Sequence, residues 1–364
     1  MNLITGSFAD DFFPFSQTRS VADIRCGILS IRQKWAYFFP LADTGGDVVD
    51  IPANVIPSAE LAEAIRSGNG LAINKALDQS ARLLNSIDII RRNDREIRTD
   101  FAWITGGRST RPVPESNRII FPVPESVPAG ENPSHLMEQA VPGHIFIEEG
   151  AVVEHCILNA AEGPIYIGKD ALVMEGCMIR GPFALGEHAV LKMGSKVYGA
   201  TTIGPFSVAG GEIKNSVMFG YSNKAHDGYL GDSVIGEWCN LGAGSSCSNV
   251  KNSAGAVKYR NPLKNEDVDA GMKCGLLMGD YSRSAINTAF NTGTVVGVCV
   301  NAFGKGLTAS YLSSFTWGFD PADKYSFEKA VQHIQQWKKL KDKTLTDAEI
   351  AQLKIIFDQQ KNLS

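Results

Sequence analysis

An aliphatic side chain recurs at every sixth residue from Ile167 through Val173, Ile179, Leu185, Leu191 and Val197 to Ile203. Neither the 3.6-residue turn of an α-helix nor the two-residue alternation of an ordinary strand produces that interval. Four positions after each aliphatic stand Ala171, Cys177, Phe183, Ala189, Ser195, Thr201 and Ser207, all small except Phe183, and Gly168, Gly186 and Gly204 directly follow three of the aliphatics. One inward aliphatic per short strand, with small residues and glycine at the corners, predicts a left-handed parallel β-helix of hexapeptide repeats.

The register continues beyond this run. Ile147 opens an earlier hexad, Ile235, Leu241 and Cys247 resume it, and Met278, Ser284, Phe290, Val296 and Ala302 carry it almost to Gly304. Between Ile203 and Ile235 it slips, and between Cys247 and Met278 it disappears. In a stack of coils, inserted residues are expelled as surface loops, where repeat proteins place binding chemistry. A site is therefore expected at the two breaks.

The 364 residues, 44% of them hydrophobic, suffice for two or three soluble domains. A net charge of −4 supplies no long-range attraction for nucleic acid, so an anionic small substrate has to meet locally placed lysines. No stretch approaches the roughly 18 uninterrupted apolar residues of a membrane span. The opening residues, with Asp10 and Asp11, lack a basic start followed by an apolar run, so a cytoplasmic protein with no membrane partner is expected. The 7 cysteines show no CxxC spacing, and several fall at or beside small-residue repeat positions, which reads as reduced core.

Four regions follow. Residues 1–105 read as a small α/β domain, with a short strand at 27–31, a helix opening at Ser58 and a second amphipathic run over 74–85. Residues 106–142 are crowded with Pro112, Pro114, Pro122, Pro124, Pro128 and Pro133, as in an extended linker. The β-helix occupies 143–306, with the α/β domain expected at one end of it. Residues 307–364 form a helical extension, its last helix opened by the capping-box pair Thr346 and Glu349, that covers an end or flank of the solenoid.

The chemistry-bearing residues cluster at the breaks. The first holds Ser222-Asn223-Lys224-Ala225-His226-Asp227-Gly228 followed by Tyr229-Leu230-Gly231-Asp232, and the second opens with Asn240-Leu241-Gly242-Ala243-Gly244. These segments resemble the C-terminal half of the GlmU-type family, bifunctional N-acetylglucosamine-1-phosphate uridyltransferases and glucosamine-1-phosphate acetyltransferases. The resemblance is closer still to an alternate, shorter branch of sugar-phosphate nucleotidyltransferase relatives. In that branch 222–228, the run Val234-Ile235-Gly236-Glu237-Trp238-Cys239-Asn240-Leu241-Gly242-Ala243 and the run Asn291-Thr292-Gly293-Thr294-Val295-Val296-Gly297 recur, and the likeness covers most of residues 15–360.

The resemblance implies acetyl transfer from acetyl-CoA to an amino-sugar phosphate by a homotrimer with sites between neighbouring solenoids, in UDP-N-acetylglucosamine synthesis for the cell wall. It makes His226 the general base, a role that suits an imidazole with an ordinary pKa near 6.5. It places Lys192, Lys214, Tyr229 and Asn240 on the sugar phosphate. Lys192 stands where the family has arginine, so a point charge replaces a bidentate fork. Ala243, Asn249, Val250, Ile286 and Gly304 fall at acetyl-CoA contact positions, whereas the family's basic C-terminal tail is replaced by the helical extension. Lys258 is a candidate third cation.

A uridyltransferase half carries a Gly-rich turn followed by Thr-Arg-Met that cradles nucleotide phosphates, and no segment here matches it. The run Thr18-Arg19-Ser20-Val21-Ala22-Asp23-Ile24-Arg25-Cys26-Gly27-Ile28-Leu29 matches the alternate branch, with Ser20 where proline is common. Residues 1–105 thus read as a reduced nucleotide-sugar-transferase domain, and Mg²⁺ enters only if that domain is an active nucleotidyltransferase. Arg19, Arg25 and Lys34 are either phosphate ligands there or structural, the structural role being favoured. Two further readings stay open: a sugar-phosphate nucleotidyltransferase of the UDP-N-acetylglucosamine diphosphorylase kind, and a non-catalytic sugar-nucleotide-binding scaffold. A γ-carbonic-anhydrase reading of the same fold needs three converging histidines. His188 and His226 lie in clear repeats and His144 and His155 near their start, without ligand spacing, so no metal site is expected.

Overall fold

The computed structural model describes residues 2–40, 49–121, 143–320 and 322–360. From the connector onward the chain winds through three parallel sheets that form the faces of a left-handed β-helix. The first face has nine strands, from Ile145–Ile147 to Tyr311–Leu312. The second runs in five strands from Val152–Val153 to Asn223–Lys224 and is continued by the bridges of Asn240 to Asn223 and Arg283. The third has six, from Arg118–Ile120 to Tyr229–Gly231. The hexad aliphatics Ile167, Val173, Ile179, Leu185, Leu191, Val197 and Ile203 point inward around all three faces, none more than 2% exposed. They join one continuous core.

The coil length explains both breaks. Phe183 pairs with Thr201 one coil on, an interval of 18 residues. Thr202 then pairs with Val217, and Val217 with Val234, so two coils are shortened, and the slip after Ile203 is a trimmed coil with no extruded insertion. The second break is an excursion: Val234 pairs with Leu277, and the intervening chain carries the antiparallel hairpin Val257–Asn261/Glu266–Gly271. Coils approach closely where glycine permits it. A Cβ on Gly204 would lie 1.7 Å from the Phe219 carbonyl oxygen. Gly204→Ala is accordingly expected to cost more than about 1 kcal/mol of stability, read as a lowered midpoint in urea unfolding.

The corner between the first and second faces uses left-handed backbone at His188, Phe206, Tyr221 and Trp238, with φ between 53° and 59°. Their rings stack coil on coil, with centroids 4.9, 4.9 and 4.4 Å apart. Such φ values are uncommon outside glycine; here ladder hydrogen bonds and ring stacking hold them. The terminal helices close over the upper part of this stack, bringing Tyr325, Ile334, Leu353 and Ile356 against Trp238, Tyr281 and Phe315. They span Phe327–Lys339 and Asp347–Gln360. The Thr346–Glu349 box forms, with each backbone N–H bonded to the other's side chain.

The region before the solenoid contains the helices α1 (Ile31–Phe38), α2 (Ala59–Ser67), α3 (Gly70–Gln79) and α4 (Asp88–Thr105), and the strand pair Asn2–Ile4/Asp50–Pro52. Residues 27–31 form no strand; Ser30 caps α1 in a capping box with Gln33. α3 starts earlier than the amphipathic run suggests because Asn69 caps it. α4 has no counterpart in the periodicity reading, since its buried side mixes Ile89, Ile97 and Phe101 with Asn93, Glu96 and Asp100.

This region lies along the first face, not at an end of the solenoid. Phe12, Phe15, Ile24 and Trp35 share a core with Val217, Phe219, Val234, Leu277 and Val295, and Ile97 and Phe101 pack with Phe146, Ala184 and Ala200. The physical reason is that these first-face strands are apolar outward as well as inward, so that face has to be covered. The connector contributes Arg118–Ile120, which pairs with Ile157–Asn159 at the start of the third face. Pro122, Pro124, Pro128 and Pro133 lie outside the described residues.

Candidate functional site

With the first face and the aromatic corner covered, the corner between the second and third faces stays accessible, and His226 stands there, exposed. The strand registers on the second face stack Met193, Gly211, His226, Ala243, Ile286 and Gly304 in one column. Adjacent coils are about 4.8 Å apart, so Ala243, Ile286 and Gly304 lie one, two and three coils from His226 on one side. Lys192 belongs to the neighbouring column, two coils away on the other side, followed by Gly210 and Ala225. The backbone around His226 is tightly held. A Cβ on Gly211 would come within 2.8 Å of the His226 carbonyl, and one on Gly228 within 2.1 Å of the Ser245 carbonyl. From the next coil, the Gly244 N–H donates to the Asp227 carbonyl at 3.0 Å.

The third face gathers a second group. Tyr198, Lys214 and Gly231 are in register, and the Lys214 ammonium sits 5.8 Å from the centre of the Tyr198 ring. The Tyr198 hydroxyl donates to Glu212 at 2.6 Å, and that bond pushes its pKa up to about 12. Asn249 donates its amide to the Tyr229 hydroxyl at 3.1 Å and also bonds Asp232. Asp232 in turn accepts from Asn215 at 2.7 Å. Burial, reinforced by Asp232, raises the Tyr229 pKa, so its hydroxyl stays protonated. Val250, next to Asn249, turns its side chain outward, and its carbonyl accepts from Ser248 at 3.1 Å.

The structure thus divides the predicted residues into three sets. His226, Ala243, Ile286 and Gly304 share one column with Lys192 in the column beside it, Tyr229 and Asn249 are bonded on the third face with Lys214 on the adjacent strand and Val250 next in sequence, and Asn240 stands apart. Asn240 lies on the second face, its side-chain oxygen 3.5 Å from the Asn223 amide. Lys258 belongs to the hairpin of the excursion between Val234 and Leu277. Sequence reasoning missed Tyr198 and Glu212, because only strand register shows that they border the site, and it quoted Lys224 and Asp232 within the His226 motif without giving either a role. Arg19 and Lys34 are committed internally: Arg19 pairs with Asp280 and with Glu237 at 3.2 Å, and Lys34 with Asp100 and with Glu96 at 3.0 Å. Arg25 donates to the Phe219 carbonyl at 3.1 Å. All three therefore fit the structural role. Among the described residues no group of His, Cys, Asp or Glu is placed to hold a metal ion, and no helix is long and apolar enough to cross a membrane.

Fold and site together define a hexapeptide-repeat β-helix protein with an exposed corner histidine and with lysines on the neighbouring column and on the third face. A family model described as sugar nucleotidyl transferase matches residues 2–46. The bifunctional protein GlmU of Methanocaldococcus jannaschii is 34% identical over 86 residues, 24% of this chain and 21% of that relative. That of Albidiferax ferrireducens is 38% identical over 131 residues, 36% of this chain and 25% of the relative. A bifunctional sugar-1-phosphate nucleotidylyltransferase/acetyltransferase of Sulfurisphaera tokodaii is 34% identical over 87 residues, 24% of this chain and 21% of the relative. These matches relate the chain to the GlmU-type family, although it spans only about a fifth to a quarter of the length of these relatives.

Proposed function

We propose that the chain N-acetylates an amino-sugar phosphate, of the glucosamine 1-phosphate kind, with acetyl-CoA as co-substrate, in UDP-N-acetylglucosamine synthesis. The observation that carries this is the register of the corner column. Three positions matched to acetyl-CoA contacts, Ala243, Ile286 and Gly304, stack in line beyond His226. Alanine and glycine leave a shallow track for an extended pantetheine arm, and the Ile286 side chain, 69% exposed, offers it an apolar contact. Lys192 and Lys214 supply the positive charge for the sugar phosphate, with Tyr229, Asn240 and Asn249 as polar partners.

In this reading the His226 imidazole removes a proton from the amine as its nitrogen attacks the thioester carbonyl. The C–N bond forms, the C–S bond breaks, and the proton leaves with the CoA thiolate. The division of the site between second and third faces supports a homotrimer in which Asn240 serves a neighbouring copy. Ile120, Ile157 and Met178, exposed along the third face, give the apolar surface for that packing. Light scattering is expected to show a trimer; a concentration-independent monomer refutes shared sites. An acetyl-CoA substrate and seven buried free cysteines fit a cytoplasmic protein.

The decisive test is turnover: purified protein with acetyl-CoA and glucosamine 1-phosphate releases CoA thiol if the proposal holds. Lys214→Ala is expected to raise KM for the sugar phosphate, more at low salt than at high, because it removes a charge that attracts bound substrate. The family match over residues 2–46 favours a second reading, nucleotide-sugar recognition or Mg²⁺-dependent nucleotidyl transfer by the N-terminal region. That region holds a cavity of about 700 Å³ lined by Arg92, Arg95 and Trp103. Synthesis of UDP-N-acetylglucosamine from UTP and N-acetylglucosamine 1-phosphate identifies the nucleotidyltransferase. Ligand binding without either turnover identifies the scaffold.

A further inference from the structure

The inward column of the second face is filled by Val173, Leu191 and Ala209 in successive coils, and the next coil fills it with Lys224. Leu241, Ser284 and Ala302 follow in the next coils, and Lys224 itself is only 2% exposed. A charge in the packed interior of a solenoid is costly unless hydrogen bonds compensate it. Here they come from the site: the Lys224 ammonium donates to the Gly210 carbonyl at 2.9 Å and to the His226 carbonyl at 2.5 Å. One carbonyl belongs to the coil beneath and the other to the corner residue proposed as base. Burial lowers the ammonium pKa to about 8, with Asp227 opposing. Column packing alone does not call for lysine, since aliphatic residues fill the same position in neighbouring coils.

We propose that Lys224 is a positioning residue: from inside the solenoid it ties the corner bearing His226 to the coil below and so sets where the imidazole stands relative to the bound amine. It does not touch substrate, because it is enclosed by the core and by the corner backbone. The proposal rests on the acetyl-transfer reading, in which His226 is the base. Lys214 and Tyr229 lie on the third face, and Lys192 stands two coils from His226 with its backbone held in the ladder beneath Gly210, so loss of the tie misplaces the base and spares the phosphate contacts.

The test is a double-variant cycle with Lys224→Met, which keeps side-chain length and removes the donor, and Lys224→Leu as a second variant matching Leu191 and Leu241. Misplacing a catalytic group can cost about 10²-fold in rate, so kcat is expected to fall by about tenfold or more, with KM for glucosamine 1-phosphate changed by no more than about twofold. In a His226→Ala background the same substitution adds no further loss, because it acts through the imidazole. The His226 ring resonance in NMR, assigned by its absence in His226→Ala, moves in the Lys224 variants. A kcat within about twofold of wild type, or losses that multiply in the double variant, overturns the proposal. If the wild-type protein releases no CoA, the acetyl-transfer reading fails separately, and the ring resonance decides alone. A shifted resonance sustains the tie, and an unmoved one refutes it.

Discussion

His226→Ala is expected to lower kcat for acetyl transfer at least about 10²-fold while leaving affinity for glucosamine 1-phosphate nearly unchanged, because general-base catalysis of this kind contributes about 10²–10⁴-fold. The lost interaction belongs to the transition state, and the phosphate is met by lysines on other strands. Single-turnover CoA release alongside calorimetric binding of the sugar phosphate separates the two quantities. The imidazole is exposed, and its backbone is fixed by Gly211, Lys224 and the Gly244 N–H, so truncating the ring leaves the corner intact. A fully active His226→Ala protein removes His226 from the mechanism. Weakened sugar-phosphate binding without a rate loss makes it a binding residue instead.

Lys34→Met is expected to destabilise the protein by about 3–5 kcal/mol, the range for removing one partner of a buried ion pair. The Lys34 side chain is fully enclosed, and Asp100 and Glu96 beside it are no more than 3% exposed. Asp100 also accepts the N–H groups of Ile28 at 2.8 Å and Leu29 at 3.0 Å, so the turn after Gly27 hangs on the same carboxylate. Without the ammonium two carboxylates are left buried and unpaired. Burial works against the charge of Lys34, but Asp100 and Glu96 outweigh it and hold the pKa above its ordinary 10.5. From the lysine side the contribution is therefore complete below 10.5 and lost as pH climbs through the folded value, while burial pushes the Asp100 carboxyl up to about 6, so the ion pair with Asp100 holds only above that pH. Urea unfolding followed by tryptophan fluorescence measures the loss. A Lys34→Met protein within about 1 kcal/mol of wild type shows that the carboxylates find other compensation, and Lys34→Met with Asp100→Asn is expected to recover part of the deficit.

Much of the solenoid was legible because its constraint is local. One inward aliphatic per strand leaves a six-residue mark wherever coils keep full length, and residues 167–203 show it without exception. Where coils are trimmed, as at Thr202–Val217 and Val217–Val234, the mark is phase-shifted and cannot be followed by counting. Lys224 was hidden there, a polar residue in a core column recognisable only once Ala209 is known to lie beneath it. α4 escaped for a related reason. Its buried polar residues find partners far along the chain, Asn93 donating to the Ala200 carbonyl at 2.9 Å and Asp100 bonding Lys34, so its core face does not read as apolar.

From residue order alone came the left-handed β-helix, the two terminal helices with their capping box, and the motif around His226, since each depends on neighbours a few positions apart. The tertiary structure alone decided that the N-terminal region covers the first face, that the aromatic corner underlies the terminal helices, and that Ala243, Ile286 and Gly304 stack in line with His226. Those relations depend on coil lengths of 18, 15 and 17 residues and on one long excursion, as the pairings of Phe183, Thr202, Val217 and Val234 record. Backbone hydrogen bonding between coils sets them, and no local pattern of side chains encodes that pairing.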